Sequence, residues 1–91
     1  MGKETFIFRE CERYLKKLHN RYSTEGIWIV KKYGRRYSFV CGIRPSGFES
    51  PDMVKINDRY LLFFQKGEDL HDNLDNVILK LKELLDENRE G

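Results

Sequence analysis

Four basic side chains and two tyrosines fall within residues 31–37, in the order Lys-Lys-Tyr-Gly-Arg-Arg-Tyr. Lysine and arginine neutralise phosphates and release their counterions, and tyrosine rings can stack on unpaired bases or on ribose. This pattern predicts an RNA-binding surface, to which Arg44, further along the chain, would contribute. The predicted RNA-binding residues are Lys31, Lys32, Tyr33, Arg35, Arg36, Tyr37 and Arg44.

A second explanation of the same cluster is structural. Charged hairpin tips keep sheet edges from pairing with other chains, and composition alone slightly favours this explanation over RNA binding. The chain has 17 Lys and Arg residues against 15 Asp and Glu residues, so its net charge is only +2. Such a balance does not mark a nucleic-acid binder unless the basic residues are concentrated on one surface.

Residue patterns that support catalysis or metal binding are missing from the sequence. It contains no glycine-rich phosphate loop, no HExxH and no GxSxG, and the two histidines, His19 and His71, are isolated. Cys11 and Cys41 lack the paired spacing of a zinc site and are predicted to be buried, reduced thiols. The chain is therefore predicted to be non-enzymatic, with no cofactor, no metal and no small-molecule substrate.

Length and hydropathy limit the architecture and the compartment. A chain of 91 residues with 40% hydrophobic residues predicts a single domain, residues 1–91, with one core. The N-terminus lacks the apolar run of a signal peptide, and no stretch approaches the length of a membrane span. A cytoplasmic protein with no membrane partner is predicted.

Five elements are predicted to position the basic cluster. An amphipathic helix with Thr5 as its N-cap comes first, and its apolar residues recur at three- and four-residue spacing. These residues are Ile7, Cys11, Tyr14, Leu15, Leu18 and Tyr22. Two β-rich runs, 27–33 and 36–41, predict a hairpin with Gly34-Arg35 as its turn. A loop over 44–51 and a third strand over 60–65 follow.

A second helix completes the predicted fold, with Glu68 and Asp69 as caps at its start and residues 86–91 as a frayed end. Its apolar face consists of Leu70, Leu74, Val77, Ile78, Leu81, Leu84 and Leu85. The predicted fold class is α+β in the order α-β-β-β-α. It is a three-stranded antiparallel sheet with two helices packed on one face and the other face open.

The register of the hairpin predicts which side chains share a sheet face. With a two-residue turn, residues 31, 33, 36 and 38 lie on one face, which would be basic, aromatic and open. Trp28, Val30, Phe39 and Cys41 then lie on the other face, which would be apolar and covered by the helices. A slip of one residue would mix the two faces.

The third strand is apolar on both faces, because residues 61–64 read Leu-Leu-Phe-Phe. In a two-layer domain one of these faces stays exposed unless something covers it. A related or identical subunit could do so, and so could the long loop over 44–57. The predicted partner-binding residues are Tyr60, Leu61, Phe63 and Phe64. A protein-interaction or regulatory module is therefore the alternative function.

Short motifs across most of the chain resemble the small Alu-domain subunits of the signal recognition particle. They are Glu12-Arg13-Tyr14-Leu15, Leu18, Tyr22, Gly26-Ile27-Trp28-Ile29 and Lys31-Lys32-Tyr33-Gly34-Arg35, with the tail helix after 65–69 in the matching place. The resemblance implies a subunit of order α-β-β-β-α that pairs with a related subunit and presents a concave joined sheet to RNA. It implies that Lys31, Lys32, Tyr33, Arg35 and Arg36 lie at or near the RNA surface. It also implies that the open edge of the sheet forms the dimer interface.

Two other classes of RNA-binding protein share this order of elements. One is a small ribosomal protein of the eukaryotic large subunit. The other is the double-stranded-RNA-binding domain, whose second helix opens with a lysine cluster where this chain has Glu68 and Asp69.

Overall fold

The chain folds as an α+β domain with two α-helices and one antiparallel sheet. A computed structural model describes residues 2–47 and 50–86, and the side chains of 8–47 and 50–85. The elements are α1 (Gly2–Tyr22), β1 (Gly26–Tyr33), β2 (Arg36–Ile43), β3 (Asp52–Lys55), β4 (Tyr60–Gln65), a 3-10 helix (Glu68–Asn73) and α2 (Leu74–Asp86). None of the described helices combines the length and the apolar composition that crossing a bilayer requires.

The sheet has four strands, so the predicted three-stranded sheet was wrong. Its order is β2-β1-β4-β3, and each neighbouring pair is antiparallel. The additional strand, β3, lies in the segment predicted as a long loop and pairs with β4, with Val54 opposite Leu62. Four residues are too few for an alternating pattern to be recognised, and β3 obtains its hydrogen bonds from a strand that follows it in the chain.

The two helices share one face of the sheet, as predicted. Helix α1 contributes Cys11, Leu15 and Leu18 to the core, which confirms its predicted apolar stripe among the described side chains. The sheet contributes chiefly Ile27, Ile29, Cys41, Leu62 and Phe64, and the C-terminal helices contribute Leu70, Val77, Leu81 and Leu85. Burial of these side chains is the main force that holds the layers together.

The predicted helix ends differ from the observed ones. Helix α1 already begins at Gly2, so Thr5 lies inside the helix and is not its N-cap. Gly67 is the N-cap of the 3-10 helix, and Glu68 and Asp69 lie in its first turn, where acidic side chains favour a helix start electrostatically. The predicted fraying of 86–91 falls outside the described residues, except that Asp86 is the last residue of α2.

The predicted two-residue turn of the first hairpin is confirmed, since Tyr33 pairs with Arg36. Gly34 has a φ of 59°, and Arg35 is not in the positive-φ region. These are the signs of a type II′ turn, which requires glycine at its first central position and matches the twist of the strands.

The helices cover the face opposite to the predicted one. Ile27 and Ile29 belong to the core beneath the helices, whereas Trp28 and Val30 alternate with them and lie on the other face. Ile27 to Val30 are all apolar, so alternation gave no reason to prefer either face.

A β-bulge accounts for the misplacement of Cys41, which was predicted to share a face with Trp28. Ile29 pairs with Cys41, but Val30 pairs with Phe39, so Val40 is the extra residue. The bulge places Cys41 in the core and Phe39 on the uncovered face. Gly42 follows directly with a φ of 124°, and a Cβ there would lie 2.5 Å from the Cα of Trp28.

Candidate nucleic-acid interface

Two hairpin connections bring five cations to one end of the sheet. Strand β1 runs towards the Gly34-Arg35 turn, and antiparallel β4 starts at this end because Tyr60 pairs with Lys31. The backbone N–H of Lys32 donates a 2.8 Å hydrogen bond to the carbonyl oxygen of Arg59. Arg59 was not among the RNA-binding residues predicted from the sequence. The basic end is defined as Lys31, Lys32, Arg35, Arg36 and Arg59.

The side chains of the basic end are available to a ligand. Lys31 is half-buried, and the other four are exposed. Among the ion pairs between described residues, none includes a member of the basic end. The nearest described carboxylate in sequence, Asp58, has its own partner in Lys55, with 3.3 Å between Nζ and Oδ1. The charge of the basic end is therefore left for a ligand to neutralise.

Aromatic rings accompany these cations on the helix side of the hairpin. The Nζ of Lys31 lies 5.2 Å from the ring centre of Tyr33 and 5.9 Å from that of Tyr60. Tyr33 is 55% exposed, so its ring can reach a ligand. Lys31, Tyr33 and Arg36 share a face of the sheet, as predicted. The helices pack on this same face further along β1, at Ile27 and Ile29.

The opposite face of the sheet is mostly apolar and aromatic, and its central residues Trp28 and Val30 are themselves buried. This open face is defined by Trp28, Val30, Lys32, Tyr37, Phe39, Met53, Lys55, Leu61 and Phe63. Tyr37, Phe39 and Met53 are 52%, 45% and 56% exposed, respectively. The ring of Phe63 lies 5.6 Å from that of Trp28 and 6.1 Å from that of Tyr37, between ring centres.

Arg44 lies at the border of the open face. Its guanidinium carbon is 5.5 Å from the ring centre of Phe39. A guanidinium near an aromatic ring is held by cation–π attraction and keeps its hydrogen-bond donors free. This predicted RNA-binding residue therefore lies beside the open face and not in the hairpin tip.

The predicted partner-binding residues are divided between the two faces. Leu61 and Phe63 are half-buried on the open face. Phe64 is fully buried in the core, and Tyr60 packs against Phe8 of α1 with 6.3 Å between ring centres. The described part of the loop over 44–57 includes strand β3, which extends the sheet sideways at the edge of β4.

Acidic residues collect at the opposite end of the molecule. Strand β4 runs away from the basic end, and the helical segment after it exposes Glu68, Asp69, Asp72 and Asp75. Within a net charge of only +2, these two regions therefore carry opposite signs at opposite ends of the sheet. Such a separation orients a charged ligand even when the total charge is small.

Cys11 of α1 and Cys41 of β2 are buried free thiols in the core, as predicted. Burial raises the pKa of Cys11 to about 11, with a further contribution from the charge of Glu10. Burial likewise raises the pKa of Cys41 to about 12, with smaller contributions from Cys11 and Glu12. The thiolate form that reacts with electrophiles is thus disfavoured in the folded protein.

These thiols give a prediction about stability in alkali. The unfolded thiols lose protons near pH 9, whereas the folded thiols retain theirs until pH 11–12. Their contribution to stability is therefore complete below pH 9 and is lost as pH rises through the folded pKa values. We expect the urea midpoint to fall between pH 8 and pH 10.5, and to fall less in the double variant Cys11→Ala/Cys41→Ala. An equal fall in both proteins would contradict this assignment.

The histidines make separate local contacts. The Nδ1 of His19 lies 2.9 Å from the hydroxyl of Thr24, and the Nε2 of His71 lies 3.3 Å from a carboxylate oxygen of Asp52. Within residues 2–47 and 50–86, no group of three or more His, Cys, Asp or Glu side chains is arranged to hold a metal ion.

Comparisons with protein-family models, with curated proteins and with solved structures give no match to this chain. The resemblance to Alu-domain subunits of the signal recognition particle therefore stays a prediction. The observed order α-β-β-β-β-α also departs from the order that the resemblance implies, because of strand β3.

Proposed function

We propose that the protein is a non-enzymatic RNA-binding subunit of a ribonucleoprotein, and that the basic end contacts the RNA backbone. The observation that carries the proposal is the gathering of five accessible cations at one end of the sheet, none in an ion pair with a described carboxylate. A phosphate backbone is the ligand that a concentrated, unneutralised group of lysines and arginines binds best.

The distribution of charge supports an orientation for the bound RNA. The acidic side chains of the 3-10 helix lie at the far end of the sheet, so they repel the backbone from that end. The backbone is then expected to pass across the hairpin turn and the connection between β3 and β4. A cytoplasmic ribonucleoprotein such as the signal recognition particle stays the working hypothesis for the natural partner, and the motif resemblance is its basis.

The salt dependence of binding tests this proposal. An unstructured 12-nucleotide oligo-uridine is titrated with the protein between 50 and 200 mM salt, with fluorescence anisotropy as the readout. Five phosphate contacts give a slope of about −3.5 in log affinity against log salt, which is a loss of about 100-fold over this range. Affinity that does not change with salt, or no binding at 50 mM salt, would exclude the proposed role.

A second candidate function is protein interaction through the open face. Phe39 and Met53 are about half exposed on this face, where Met53 pairs with Phe63 and Phe39 lies across β1 from Leu61. Exposed apolar side chains gathered on one face are typical of a protein-interaction surface. The molar mass measured by light scattering without RNA distinguishes the candidates. A stable dimer that RNA does not dissociate would favour the second one.

A further inference from the structure

We propose that the open face stacks two or three unpaired bases, so that the ligand class is single-stranded RNA. This inference rests on the proposed function and deepens it, since the basic end alone would accept any RNA backbone. The stacking surface that we assign consists of Tyr37, Phe39 and Phe63, with the guanidinium of Arg44 at its border.

Tyr37 connects the basic end with the open face. It lies one residue after Arg36, and its register partner on β1 is Lys32. Its ring is 52% exposed on one side and lies 6.1 Å from the ring of Phe63 on the other. A nucleic-acid strand with a phosphate on Lys32 therefore has its bases within reach of this ring.

The exposed rings continue along β2 away from the turn. Phe39 lies two residues beyond Tyr37 on the same face and is 45% exposed. Residues i and i+2 of a strand are about 7 Å apart, which suits successive unstacked nucleotides. Aromatic rings on a four-stranded antiparallel sheet bind unpaired bases by stacking, whereas paired bases in a duplex do not expose their flat faces.

The charge of the open face favours a nucleic acid over a second copy of the chain. Lys32 projects on this face and Arg44 borders it, while Lys55, which also projects there, already pairs with Asp58. No acidic residue occupies an open-face position in the four described strands. In a two-fold symmetric dimer through this face, like charges from the two copies would share one interface, whereas phosphates complement Lys32 and Arg44.

The test compares Tyr37→Ala and Phe39→Ala with Leu79→Ala, since Leu79 is an exposed apolar residue of α2, on the helix side of the sheet. The probes are the 12-nucleotide oligo-uridine, its DNA counterpart and a 12-base-pair RNA duplex. Each ring removed is expected to weaken binding of the oligo-uridine about tenfold, with little change for the duplex. Tyr37→Phe should retain the wild-type affinity, because the ring is kept.

Each outcome separates this inference from the proposed function. If both alanine variants bind single strands and duplex as tightly as the wild type, and neutralising the basic end weakens both, backbone binding stands and base stacking is overturned. If none of the probes binds the wild type, both proposals fail. If the alanine variants lower the molar mass of a dimer and leave RNA affinity unchanged, the open face is a protein interface and the inference is wrong. Equal weakening for oligo-uridine and oligo-deoxythymidine supports stacking without selection for ribose.

Discussion

Replacement of Lys31, Lys32, Arg35 and Arg36 together by glutamine is expected to lower the affinity for oligo-uridine on the order of 100-fold at 0.1 M salt. Each cation that contacts a phosphate releases about 0.7 counterions from a single strand, so the salt slope should also become shallower by about 3. The four side chains are mostly exposed and make no ion pair with a described residue. The fold should therefore tolerate the change.

A matched control removes four positive charges elsewhere. Lys16 and Lys17 on α1 and Lys80 and Lys82 on α2 are all exposed. Their replacement by glutamine changes the net charge by the same amount without touching the basic end. Affinity should then decrease by less than about fivefold through the weaker long-range field. If both quadruple variants lose affinity equally, only the total charge matters and there is no localised RNA site.

The variant Phe64→Ala is expected to lose about 3–5 kcal/mol of unfolding free energy, a large part of what a domain of this size has. Phe64 is fully buried under the helices, so alanine would leave a cavity that its neighbours cannot fill. Its neighbour Phe63 is half-buried on the open face. For Phe63→Ala we expect a loss of about 1–2 kcal/mol, because less of its surface leaves water on folding.

The pair of variants tests which face the helices cover. Both change phenylalanine to alanine in β4, one position apart, so strand propensity and residue size are matched. Urea unfolding followed by circular dichroism measures the two losses. A loss at Phe63 as large as that at Phe64 would mean that the helices do not leave the Trp28 face open. The assignment of the stacking surface would then have no basis.

Local signals in the sequence were sufficient for most elements. Helix α1 follows from the spacing of Cys11, Leu15 and Leu18, which the structure buries together. The first hairpin follows from glycine at the only position of its turn that needs a positive φ. Strand β4 was predicted with its exact bounds, 60–65, because Pro and Gly are absent from a strongly apolar run.

The remaining features depend on contacts between distant residues. Strand β3 exists through its pairing with β4, and the bulge at Val40 depends on the register between β1 and β2. The side on which the helices pack could not be predicted, since β1 and β4 both contain four consecutive apolar residues. Where both faces of a strand are apolar, only the packing of helices against the sheet determines which face becomes part of the core.

In the candidate site, too, residues close in sequence were predicted and residues brought together by the fold were not. The cations of 31–36 were found from the sequence because they are close along the chain. Arg59, in the connection between β3 and β4, joins them through a backbone hydrogen bond from Lys32, and Phe63 contacts Tyr37 across β1. Arg59 and the pairing of these two rings required the order of the strands, which no local pattern specifies.

A map of amide chemical-shift changes on adding oligo-uridine to the isotope-labelled protein would show where RNA binds. The largest changes are expected at the basic end and along the open face, for example at Lys32, Arg36, Tyr37 and Phe39. Helix α2, on the other face of the sheet, should change little. Changes concentrated in α2, or none at a saturating RNA concentration, would contradict the claim that this sheet binds RNA.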